Sequence, residues 1–101
     1  MENYIRSEEE IAEAVRLLEQ NKSECKRYNM FGSDNHAKID VRIDTIKNQR
    51  SEDYVYRTYP SDNEEDEEDM NLHDLWQAGI GALEYLRGEC PIENLIIQVK
   101  K

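Results

Sequence analysis

Apolar side chains recur at helical spacing from Ile11 to Cys25. Ile11, Val15, Leu18, Lys22 and Cys25 fall on one stripe, which Ala14 and Leu17 widen. Ser7 to Glu10 precedes that stripe as a capping box: a serine to accept an orphan amide, and a glutamate to reach back. Glu8, Glu9 and Glu10 also suit the positive end of a helix. The pattern fades from Tyr28 to Phe31, and Gly32 predicts the stop. A second helix follows, with Ser33 or Asp34 as its cap and Ile39, Ile43 and Ile46 on one face. Asp40, Asp44, Lys47 and Arg50 occupy the opposite side. The short connection predicts an antiparallel helical hairpin over 7–50.

Residues 51–59 read two ways. Ser51 caps a short helix, yet Tyr54, Val55, Tyr56, Thr58 and Tyr59 are strand formers. The helix is favoured, since propensity is a weak prior and the neighbours are helical. Pro60 ends the element. Farther on, Leu72, Leu75, Trp76, Gly79, Ile80, Leu83 and Leu86 form an apolar stripe that predicts an amphipathic helix over 70–87. Two glycines inside it, Gly79 and Gly81, point to close packing against another helix, and Arg87-Gly88 marks its end. The tail 90–101 has a proline at 91 and carries Leu95-Ile96-Ile97, a short helix or a strand.

The expected fold is therefore all-α: one small domain over 1–101, a helical bundle built on the hairpin and crossed by the long C-terminal helix. The alternative is α+β, with 54–59 and 95–99 paired as two strands.

Charge changes this picture at one place. The chain carries −10 over 101 residues. Asp62, Glu64, Glu65, Asp66, Glu67, Glu68 and Asp69 supply seven of its 23 acids. A run of this kind is ordinarily a solvated, self-repelling loop. Ser61 to Glu64, directly after Pro60, is also a capping-box pattern, so the 61–69 segment reads as the charged entry of the last helix. The middle of the chain is different: residues 22–57 hold eight bases against six acids. The protein is bipolar. Its acidic parts repel phosphate backbones, which disfavours direct nucleic-acid binding, and attract basic partners.

No window approaches the roughly 18 apolar residues of a membrane span, and the acidic N-terminus has no signal-peptide core. With two distant cysteines and no lipidation motif, the expectation is a cytoplasmic protein with reduced thiols and no membrane partner.

Candidate chemistry is sparse. Cys25, His36, His73 and Cys90 match no zinc spacing, and Cys25 sits where a small buried hydrophobe belongs. His36, Asp40 and Asp44 fall at i, i+4 and i+8, a face that can bind metal or move protons, but an exposed polar face with local pairing explains them as well. The acidic run lacks the glycine and the alternating ligands of a calcium loop. No nucleophile motif or phosphate-cradling loop occurs. No catalytic residue, metal ligand or cofactor is assigned. Lys22, Lys26 and Arg27, and later Lys47, Arg50 and Arg57, sit where helix C-termini favour cations. Tyr28, Tyr54, Tyr56, Tyr59 and Trp76 are potential interface anchors, with half-buried packing expected for Trp76.

The stretch from Phe31 to Tyr56 resembles small uncharacterised proteins of phages, plasmids and other mobile elements. Phe31-Gly32, Asp34-Asn35, Ile39-Asp40, Ile43 and Asp53-Tyr54 carry the resemblance, and Leu83 to Glu89 is similar to their C-terminal end. It covers about a third of the chain and implies a genetic setting without a mechanism.

The leading expectation is a non-enzymatic interaction module whose acidic run, with Tyr56 and Tyr59, binds a basic protein surface as an inhibitor or partial nucleic-acid mimic. A second reading is a self-associating helical protein, its glycine-bearing helix packed on a copy in a homodimer. A third is a metal-dependent enzyme using His36, Asp40 and Asp44.

Overall fold

The computed structural model describes residues 4–28, 33–59 and 69–97. Its elements are α1 (Glu8–Tyr28), α2 (Ser33–Asn48), α3 (Glu52–Thr58), α4 (Asp69–Leu86) and a 3-10 turn over Ile92–Leu95. The protein is an all-α bundle, and no strand occurs among the described residues.

Several helix ends have a local cause. The Ser7 hydroxyl accepts from the Glu10 amide at 3.1 Å, and the Glu10 carboxylate accepts from the Ser7 amide at 2.9 Å. This is the reciprocal box that the sequence predicts. Ser51 caps α3 by accepting from the Tyr54 amide at 3.4 Å. At the end of α4, Gly88 takes φ of 78° while the Gly88 and Glu89 amides donate to Tyr85 and Glu84 carbonyls. That paired arrangement ties off the orphan carbonyls of the last turn. The end of α2 resembles it, with Gln49 at φ 50° and the Arg50 amide bonded to the Thr45 carbonyl.

The core lies between the long helices. α2 is the central one, packing against α1 on one side and α4 on the other. Ile39 and Ile46 are buried, and so are Val41 and Thr45 on another side of the same helix. The expected single face of Ile39, Ile43 and Ile46 is thus half of the pattern, and Ile43 itself is only half-buried. α1 contributes Ala14, Leu18 and Cys25, and α4 contributes Ala78, Ala82, Leu83, Tyr85 and Leu86. Ala78, Ala82 and Tyr85 lie off the predicted stripe, so the buried face of α4 is wider than the sequence predicts.

α3 packs on α4 at Gly79. A Cβ at Gly79 would meet the Val55 methyls at 3.0 and 3.1 Å and a Val41 methyl at 3.5 Å. The glycine lets α3 and α2 approach the same point of α4. Gly81 has no such constraint, since its nearest neighbour would be Leu95 at 3.9 Å.

The pairing of 54–59 with 95–99 does not form among the described residues, and 98 and 99 lie outside them. The strand formers of 54–58 are helical because Ser51 supplies a cap and Val55 buries completely against Gly79. The tail becomes a 3-10 turn and then extended backbone at Ile96. A side chain takes the place of a strand partner: Asn21 donates to the Ile97 carbonyl and accepts from the Ile97 amide, both at 2.9 Å.

The N-terminal residues strap the opposite end of the bundle. The Ile5 amide donates to the Leu86 carbonyl at 3.1 Å. Arg6 donates to the Tyr85 and Cys90 carbonyls at 2.7 Å each, and its guanidinium lies 4.1 Å from the Tyr85 ring centre. A cation thus sits where the α4 dipole favours one. Tyr4 donates to the Arg50 carbonyl at 2.7 Å, tying the end of α2 to the same strap.

Candidate interaction surface

The outward side of α1 is the strongest charged surface among the described residues. Glu8, Glu9, Glu10, Glu13, Glu19 and Glu24 are all exposed there. Helical periodicity produces this face: the apolar positions of α1 turn toward α2, and the glutamates occupy the remainder. Among the described residues, two of the six are held by cations. Glu10 pairs with Arg6 at 3.4 Å, and Glu13 pairs with Arg16 at 2.6 Å. The Ser7 amide, more than the Arg6 charge, holds the Glu10 carboxyl below the ordinary glutamate range. The Arg16 hydrogen bond does the same for Glu13. Glu8, Glu9 and Glu19 have no cationic partner among the described residues.

A groove of about 210 Å³ opens beside this face, where α1 meets the corner between α4 and the 3-10 turn. Its floor is apolar, made by Ala14, Leu17, Tyr85 and Ile92. Its rim is Glu9, Glu10 and Glu13. Tyr85 is fixed beneath it, donating to the Glu10 carbonyl at 3.2 Å with Arg6 stacked on its ring. Burial raises the Tyr85 phenol above its usual range, so the floor stays neutral.

The residues singled out in the sequence are dispersed. Asp62, Glu64, Glu65, Asp66, Glu67 and Glu68 lie outside the described residues, and so do Phe31, Gly32, Pro60 and the second capping box. Asp69 opens α4. Tyr56 and Tyr59 do not form one patch. Tyr56 is 51% exposed and meets Trp76 at 5.6 Å between ring centres, with His73 on Trp76 at 5.7 Å. Trp76 is half-buried. Tyr59 turns instead toward Tyr54 and Asp44; burial first, and Asp44 second, raise its phenol.

His36, Asp40 and Asp44 do not converge, and no group of three or more potential metal ligands occurs among the described residues. Asp40 accepts from Lys22 at 2.8 Å, joining α1 to α2. Asp44 accepts from the Tyr54 hydroxyl at 2.9 Å and from Asn48 at 2.8 Å. His36 Nε2 is buried without a hydrogen-bond partner. Burial raises both thiols, so neither Cys25 nor Cys90 is poised as a thiolate.

Four basic residues of the middle segment are engaged within the fold. Besides Lys22, Arg57 pairs with Asp53 at 2.8 Å and Arg50 lies over Tyr54. Arg42 is desolvated beneath the tail, donating to the Leu95 carbonyl at 2.8 Å. The glycine face of α4 is likewise filled from within the chain, by Val55 and Val41.

Sequence reasoning missed the α1 groove because its walls come from segments some 75 residues apart. Glu8-Glu9-Glu10 signals a cap and suits the helix dipole in sequence, and the same residues also face solvent.

No protein-family model, curated protein or solved structure matches this chain. No described helix is long and apolar enough to cross a membrane.

Proposed function

We propose that this protein is a non-enzymatic acidic interaction module that binds a basic surface of another protein. The observation that carries this reading is the outward side of α1, where Glu8, Glu9 and Glu19 stand exposed with no cationic partner among the described residues. Carboxylates without partners leave their field available to steer and hold a basic surface. The acidic run at 62–69 adds charge of the same sign to the chain. Such a module acts as an inhibitor, in the manner of a partial nucleic-acid mimic, when the basic surface it covers normally binds phosphates. The resemblance of the 31–56 stretch favours a mobile-element setting for that encounter.

The test compares the native chain with a Glu8→Lys, Glu19→Lys double variant as bait in lysate, at low and high salt. The expected result is a basic protein retained at low salt, released at high salt and lost from the variant bait. Retention that ignores both salt and charge reversal refutes the electrostatic reading.

A further inference from the structure

We propose that the groove between α1 and the α4 corner seats a single apolar anchor side chain on a basic segment of the partner protein, with flanking lysines or arginines on Glu9 and Glu13. The inference rests on the acidic-module reading and adds to it a location and a binding chemistry.

The floor supplies the first half of the argument. Ala14, Leu17, Tyr85 and Ile92 make an apolar surface in a groove of about 210 Å³, room for one aliphatic or aromatic side chain. The rim supplies the second. Glu10 is committed to its capping box and to Arg6. Glu9 has no cation among the described residues, and the Glu13–Arg16 pair is more than half exposed on both sides. An exposed pair of this kind is weak and exchanges readily for an incoming cation. An apolar anchor ringed by carboxylates matches a partner side chain ringed by bases, the anchor giving affinity and the rim giving orientation.

Other occupants fit worse. A second copy of this chain brings ten net negative charges to an acidic rim. Anionic lipid surfaces and nucleic acids meet the same repulsion. The chain's own tail leads away: it contributes Ile92 to the floor, then reaches Asn21 at Ile97, farther along α1.

The test is a methyl-detected NMR titration of the full chain with three synthetic peptides: leucine–lysine, serine–lysine and leucine–glutamate. The leucine–lysine peptide is expected to shift the Leu17 and Ile92 methyls. The serine–lysine peptide should bind more weakly and leave those methyls in place, and the leucine–glutamate peptide should not bind. Glu9→Gln with Glu13→Gln should weaken the leucine–lysine complex by about tenfold. Leu17→Ser should weaken it while leaving serine–lysine binding unchanged, with a thermal melt confirming that each variant is folded. Lysine peptides that bind but shift only methyls remote from the groove overturn this inference and leave the acidic-module reading standing. Failure of every lysine peptide to bind overturns both.

Discussion

α1 and α2 are the two arms of one hairpin, with ten and six charged residues respectively, and they place those charges differently. On α2, Asp40 is taken by Lys22, Asp44 by Tyr54 and Asn48, and Arg42 by the Leu95 carbonyl. That helix is packed on two sides, and these three charged groups find partners inside the fold. α1 is packed on one side, and three of its six glutamates, Glu8, Glu9 and Glu19, face water with no cationic partner among the described residues. The charge content of a helix therefore says little about binding. What separates a structural charge from an available one is whether the fold supplies its counter-ion.

The largest test of this contrast removes the packing that makes α2 central. Ile46 is fully buried, and Ile46→Ala is expected to cost about 3–4 kcal/mol. A small domain has only about 5–15 kcal/mol to lose, so the urea midpoint should fall steeply. A loss under about 1 kcal/mol would mean that α2 is not the bundle's centre.

The inner side of α1 gives a smaller effect. Asn21→Leu keeps the volume but leaves the Ile97 amide and carbonyl without partners. The expected cost is about 1–3 kcal/mol, with faster hydrogen exchange at the Ile97 amide. Unchanged exchange there would show that the tail is held by Leu95 alone.

Much of this fold is legible in sequence because it is local. The Ser7–Glu10 box, the Ser51 cap and the Gly88 stop each involve residues within a few positions of one another, and all three form. What the sequence hides is long-range. Asn21 sits in the middle of a helix with no local signal, and it bonds a residue 76 positions away. Arg6 looks like an ordinary charge until the end of α4 is brought beneath it. The second buried side of α2 escapes because Val41 and Thr45 look unremarkable beside three isoleucines. The groove is the same case: Leu17 belongs to α1, Tyr85 to α4, and Ile92 to the 3-10 turn.

The smallest effects bear most directly on function. Asp44→Ala on α2 removes the acceptor of the Tyr54 hydroxyl and should cost about 1 kcal/mol. Glu19→Ala on α1 removes a carboxylate with no internal partner, and its effect should stay within about 0.5 kcal/mol. Urea denaturation of the two variants beside the native chain separates these values. Binding to a lysine-rich peptide should rank them the other way, with Glu19→Ala weakened and Asp44→Ala close to native. If Asp44→Ala lost as much binding as Glu19→Ala, the acidic face would not be the recognition surface. The field of the whole molecule would then account for the attraction, and the exposed side of α1 would carry no special role.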